Sequence, residues 1–272
     1  MDVRSREQRL IDLISAEAKL LPDLVESVRY ERTKVRLGAA LCGLAQRAQT
    51  QAFHAYFVKH DIDGFKQNCY LASKLTLASV GQDGGAAFEI GTDFLYGLMS
   101  DNSEVVRALA QVEVPQLIAE RDNPISSRFQ VHMLQLAIRD ENDALLAKVE
   151  KLAKHGRKAD RADCAGGCDF FSLLVKRDAS ALKDLIENKH ARIKGDGALF
   201  DEFIAFRATL ETKLCWLKGV PVQIDSPLVP MELMKVTPLE RYDDVYDFLA
   251  NEWQPPQQGL LGKVSRLFSQ KR

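Results

Sequence analysis

Large apolar side chains recur at steps of three and four along most of the chain, the spacing that puts them on one face of an α-helix. Leu199, Phe203, Phe206, Leu210, Leu214 and Leu217 form the clearest stripe and predict a helix over 199–217. Gly219 stops it, because a residue without Cβ takes the left-handed turn that satisfies the last carbonyls. From Arg4 to about Gln49, Leu10, Leu13 and Ile14, then Leu20, Leu21, Leu24, Val25 and Val28, predict two or three helices, with Pro22 marking a break or a fresh first turn. No strand-rich block follows. Past Gly219, Val220-Pro221-Val222-Gln223-Ile224-Asp225-Ser226-Pro227-Leu228-Val229-Pro230 must run extended, since its prolines cannot sit inside a helix. Thr237-Pro238-Leu239-Glu240 then offers a capping hydroxyl, a proline at the first helical position and a carboxylate that can reach back to the cap, and so predicts a C-terminal capping helix.

Between these ends a weak repeat runs: Val58/Asp61/Gly64/Phe65, Leu98/Asp101/Glu104/Val105, Ile138/Glu141/Ala144/Leu145 and Val175/Asp178/Ala181/Leu182. Its offsets, about 40, 40 and 37 residues, fall in the range that helical-repeat proteins use. Each copy reads as the end of one helix, an acidic corner that caps the next, and the start of that next helix. Glycine-, proline- and polar-rich breaks separate the copies: residues 81–85, Val114-Pro115, Asp122-Asn123-Pro124 and 155–167. The expected fold is all-α: stacked antiparallel helical hairpins, solenoid-like, closed by a proline-rich extended segment and a capping helix. Residues 1–254 are expected to be one domain. Residues 255–272 are expected to be a linker and a short basic amphipathic helix around Leu260–Phe268.

Composition narrows the function classes. The 37 basic and 38 acidic residues balance to a formal charge of −1, so no global excess favours nucleic acid as a partner. No segment approaches the roughly 20 apolar residues of a membrane span, and the charged, amphipathic N-terminus lacks the run of a secretory signal. The five cysteines are scattered, an odd number in a long chain, which suits free thiols of a reducing compartment; a cytoplasmic location is expected.

Candidate chemistry is sparse. The phosphate-loop, dinucleotide, nucleophile-elbow and zincin motifs are absent, and Gly259-Leu260-Leu261-Gly262-Lys263 is too short for a phosphate loop. Cys164 and Cys168 could hold half of a thiolate metal site, with His155 or His190, but no second ligand pair accompanies them. Asp61-Ile62-Asp63-Gly64 lacks the rest of a calcium loop and reads as a corner. The histidines stand singly. No catalytic residue, cofactor or metal is therefore assigned, and an enzyme site around His132 or the 155–168 region is the reading that a deep polar pocket there would favour. The remaining feature is acidic: Glu240, Asp243, Asp244 and Asp247 fall on one face of the predicted last helix, beside Tyr242 and Tyr246. Glu240, Tyr242, Asp243, Asp244, Tyr246 and Asp247 are thus the candidate partner-binding residues, a surface suited to a basic partner.

Three segments also carry a resemblance. The order Phe200-Asp201-Glu202-Phe203-Ile204-Ala205-Phe206-Arg207, then Gly219 through Pro230, then Tyr242-Asp243-Asp244-Val245-Tyr246-Asp247-Phe248-Leu249 covers about a fifth of the chain. It resembles the C-terminal part of the all-helical immunity proteins of bacterial polymorphic toxin systems, family forty-nine. The resemblance implies a non-enzymatic cytoplasmic protein that binds and neutralises one cognate secreted toxin, often a nuclease delivered by a type VI or contact-dependent system. It implies no catalytic residues and no direct contact with nucleic acid. The alternative is a helical-repeat adaptor that binds a peptide or partner protein in a concave groove.

Overall fold

The computed structural model describes residues 4–193, 198–250 and 252–256, with only the backbone of Thr92. The expected basic helix near 260–268 lies outside the described residues. Among the described residues the fold is all-α and no strand forms. The helices are α1 (Arg6–Tyr30), α2 (Leu37–Phe57), α3 (Ile62–Ser79), α4 (Thr92–Met99), α5 (Ser103–Gln111), α6 (Pro115–Glu120), α7 (Ser127–Ile138), α8 (Asn142–His155), α9 (Lys158–Ala165), α10 (Phe170–Lys176), α11 (Ala179–Asn188) and α12 (Phe206–Leu217). Pro22 does not break α1. Leu24, Val25 and Val28 continue the apolar face past the proline and, with Leu21 before it, pack with Leu41, Leu44 and Leu75 of α2 and α3, which outweighs one missing backbone bond.

The four repeat copies are the corners α2–α3, α4–α5, α7–α8 and α10–α11. They share a backbone as well as a pattern. Each has a non-glycine residue in the left-handed region, His60, Asp101, Asp140 or Arg177, followed at once by the capping residue Asp61, Asn102, Glu141 or Asp178. Three of the caps accept a bond from the backbone three residues on, at Gly64, Val105 and Ala181. At the second corner the sequence pattern is off by one: Asp101 is the left-handed residue and Asn102 is the cap.

α12 is the spine of these corners. Lys213 pairs with Asp101 at 2.6 Å, Lys218 pairs with Asp140 at 2.9 Å, and Arg177 donates to the Gly219 carbonyl at 2.8 Å. At three of the four corners the left-handed residue thus aims a polar side chain at α12 or the turn that ends it. α12 also packs against α4 and α11, so the hairpin array closes on its last helix. Its start differs from the expected one. Residues 199–202 form a 3-10 turn, and the Ala205 amide donates to the Leu228 carbonyl, so the α-helix begins only at Phe206. The apolar stripe is unaffected: Phe203, Leu210 and Leu214 are all buried.

Gly219 ends α12 with a left-handed turn, and the Val220 amide reaches back to the Cys215 carbonyl. The chain beyond it is a strap. Val220, Val222 and Ile224 are buried while Pro221, Gln223 and Asp225 are exposed, a period of two that an extended segment gives as it lies on helices rather than in a sheet. Trp216 donates to the Val222 carbonyl and Glu187 accepts from the Asp225 amide. Further on, Leu233 and Met234 enter the main core, and Phe248 and Leu249 enter a second core between α1, α2 and α3. The strap thereby ties the last helices to the first three.

Candidate functional site

The residues the sequence marks for partner binding lie on this strap, and not on a helix. Residues 237–246 are extended or irregular, and only Asp247–Leu249 form a 3-10 turn. The predicted capping helix is lost because its backbone is engaged elsewhere. The Thr237 amide donates to Asp101 at 3.1 Å and the Thr237 carbonyl accepts from Lys66 at 2.6 Å. The Leu239 amide donates to the Tyr242 hydroxyl, and the Asp243 amide to Gln67, both at 3.0 Å. Local capping signals of about 1 kcal/mol are outweighed by bonds to a buried charged cluster.

That cluster is Lys66, Asp101 and Lys213, all buried, with the two ammoniums on opposite oxygens of one carboxylate. Lys213 also donates to the Leu233 and Met234 carbonyls, so the charge centre fixes the strap at two places. Burial lowers the Lys213 pKa and Asp101 opposes that shift. Burial pushes the neighbouring Cys69 thiol well above its ordinary range, so it stays protonated.

The strap alternates from Arg241 to Asp247. Tyr242, Asp244 and Tyr246 are half-buried against the helices; Arg241, Asp243, Val245 and Asp247 are exposed, as is Glu240 before them. Tyr242 donates to the Ser100 carbonyl at 2.6 Å and its ring lies 4.8 Å from that of Tyr70. Asp244 accepts from the Tyr70 hydroxyl at 2.7 Å and lies 3.4 Å from Lys74. Asp247 accepts from Arg29 at 2.7 Å, and Tyr246 stacks on Phe248 at 5.0 Å. Burial, before any charge effect, raises the Tyr70, Tyr242 and Tyr246 phenols, and the first two act as neutral donors, to Asp244 and to the Ser100 carbonyl. The acidic row is thus divided in two: Asp244 and Asp247 anchor the strap, while Glu240 and Asp243 face outward. Val245 sits between them, 65% exposed and held at φ 60°, a conformation costly for a β-branched residue.

A second feature, a cleft of about 420 Å³, opens between the segment before α4 and helices α7, α9, α10 and α12. Leu134, Phe170, Phe171, Phe206 and Leu210 give it apolar walls, and Arg157, Asp160 and Arg207 are among its polar lining. Behind it lies a buried pair: the His190 Nδ1 meets one oxygen of Glu211, and the other accepts from the Arg207 Nε at 3.0 Å. This cleft adjoins the 155–168 region that the sequence singled out, and its walls are chiefly apolar. Cys164 is buried there, its thiol pushed up to about 12 by burial first, and Cys168 is exposed. Among the described residues no group of three or more His, Cys, Asp or Glu could hold a metal ion. His132 lies elsewhere, its pKa lowered to about 4 by burial first and then by Lys148.

Sequence reasoning missed Lys66, Lys213, Glu211 and Arg207. The only local signal was the i,i+4 pair Arg207 and Glu211 on α12. No helix among the described residues is long and apolar enough to cross a membrane. No family model, no curated protein and no solved structure matches the chain.

Proposed function

We propose that this chain is an immunity protein, a non-catalytic helical scaffold that neutralises a cognate secreted bacterial toxin by forming a stable complex with it in the cytoplasm. The observation that carries the reading is the outward edge of the strap. Glu240, Asp243 and Val245 project from a segment whose Tyr242, Asp244 and Asp247 are bonded to the end of α4, to α3 and to α1, so a docking edge is ordered before any partner arrives. Glu240, Asp243 with its exposed partner Arg241, and an aliphatic tip make a mildly acidic edge that suits a basic surface with an apolar recess. A nuclease toxin, whose surface must meet phosphates, offers such a surface, and opposite charge speeds the encounter.

The test is co-expression with the toxin domain encoded by the neighbouring gene, with growth and complex isolation as readouts. The informative variant is Glu240→Lys, Asp243→Lys and Val245→Ser together, because Asp244 and Asp247 also hold the strap and their reversal would confound folding with binding. Binding at least about tenfold weaker at unchanged thermal stability is expected. Full protection by this variant removes the edge from the account, and absence of rescue by the native chain removes the toxin.

A further inference from the structure

The cleft between α7, α9, α10 and α12 has no part in the strap. Its construction points to a ligand of its own. Arg207 is exposed, yet its Nε is fixed by Glu211, which is itself buried and gripped on its other oxygen by buried His190. The two terminal nitrogens of that guanidinium make no hydrogen bond among the described residues. An arginine oriented from behind, with its fork free in front, is a preformed receptor for a carboxylate. Arg157 lines the cleft, and so do Ser126 and Ser127 at the N-terminal end of α7, where the helix dipole is positive. Against them stand Asp160 and, in an adjoining recess that Arg207 also lines, Asp163 and Asp169; the cleft is close to charge balance, and the preference for a carboxylate rests on the free fork of Arg207.

The apolar part identifies the kind of molecule that carries the carboxylate. Three phenylalanines and two leucines form walls large enough for an aromatic or branched side chain. Ile90 and Ile125 also line the cleft, yet they are 56% and 57% exposed. A small ligand on the floor would leave these two side chains in water, whereas a polypeptide segment lying across the mouth would cover them. We infer that the cleft is a docking site for an acidic segment of a partner protein, which places an aromatic or branched aliphatic side chain between Phe170, Phe171 and Phe206 and a neighbouring carboxylate on Arg207. This surface is opposite in charge preference to the strap edge and does not depend on the toxin reading.

The full chain, with isoleucine methyls labelled, is titrated by NMR with three blocked peptides: acetyl-Glu-Glu-Phe-Leu-Glu-amide, the same peptide with every Glu replaced by Lys, and the same peptide with Phe and Leu replaced by Ala. The Ile90 and Ile125 methyl signals are expected to move with the first, and to need roughly tenfold more of either of the others. Arg207→Gln should weaken the first peptide by about fivefold or more and leave the lysine peptide unchanged; circular dichroism reports whether it is folded. The peptide comparison needs no variant and so stands even if that one fails to fold. Equal binding of the lysine peptide overturns the charge assignment. Methyl shifts with decanoate and none with the peptides would make the cleft a site for a small amphiphile, and no shift with any probe would overturn the site itself.

Discussion

Asp101 and Asp140 occupy the same place in two successive corners. Each is a left-handed residue just before a helix cap, and each pairs with a lysine of α12, at 2.6 Å and 2.9 Å. Their surroundings separate them. The Asp101 side chain is 1% exposed and touches two ammoniums; that of Asp140 is 72% exposed and touches one. Repeating a backbone geometry therefore does not repeat an energy. At the second corner the strap covers the pair and supplies carbonyls to both lysines, so the ions leave water together. At the third the carboxylate stays in solvent, although Lys218 is largely covered, and solvent screens the pair.

The largest effect should come from Asp101→Asn. Asparagine keeps the size and tolerates the left-handed backbone, so the change removes the charge and turns one accepting oxygen into a donor amide. It leaves two buried lysines without a counter-ion, which is expected to cost about 3–5 kcal/mol. The check is the urea midpoint at unchanged slope, together with faster tryptic cleavage at Lys235 and Arg241 as the strap loosens. A loss below about 1 kcal/mol would mean that the pair is as weak as its exposed counterpart.

The next test contrasts the two ends of α4. Asp93, in its first turn, is partly buried with no ion-pair partner among the described residues, and burial raises its pKa to about 6. The folded chain then keeps this proton up to about pH 6, whereas the unfolded chain releases it near the ordinary value of 3.8. The resulting stability is full below the unfolded value, falls as pH rises from about 4 to about 6, and is absent above that. Asp93→Asn should stabilise the chain at pH 7 by about 2 kcal/mol and flatten that part of the pH profile. An unchanged profile would mean that Asp93 is effectively solvated.

How much of this was legible in the sequence follows the range of the interactions. The corners were readable because a helix end and a cap are settled within a few residues: Asp61 and Asp178 cap where the repeat placed them. The one-residue slip at Asp101 was not, because Asp and Asn are adjacent there and both can cap. The extended run after Gly219 was readable from its prolines. Thr237-Pro238-Leu239-Glu240 misled because its capping signal is local, while the groups that override it, Lys66 and Asp101, lie 171 and 136 residues away. The acidic row was seen, but its division into anchors and outward residues depends on Arg29, Tyr70 and Lys74, which no spacing within the strap reveals. Arg207 and Glu211 were a visible i,i+4 pair, whereas the sequence offered His190 only as a metal ligand and the structure places it behind them on Glu211.

Capping should give an intermediate effect. Asp178 accepts from the Ala181 amide at 3.0 Å, whereas Glu141 at the equivalent position makes no side-chain cap. Asp178→Ala should cost about 1 kcal/mol and Glu141→Ala about half of that or less. Equal losses in urea unfolding would mean that the corner backbone, and not the cap, sets the stability of these turns.

The smallest effect is the one that closes the comparison. Asp140→Asn keeps the left-handed residue and removes only an exposed charge, so a loss of about 0–1 kcal/mol is expected. Lys218 need not be stranded, since its ammonium also donates to the Ile138 carbonyl at 2.7 Å. Because the Asp140 carboxylate lies in solvent, the small difference between native chain and variant should shrink further between 0.05 and 0.5 M salt, as screening shortens to about 4 Å. The Asp101→Asn difference should hardly move over the same range, because counter-ions cannot enter the covered cluster. Parallel salt dependence for the two variants would show that the strap does not shield Asp101, and the energetic distinction between the two corners would be lost.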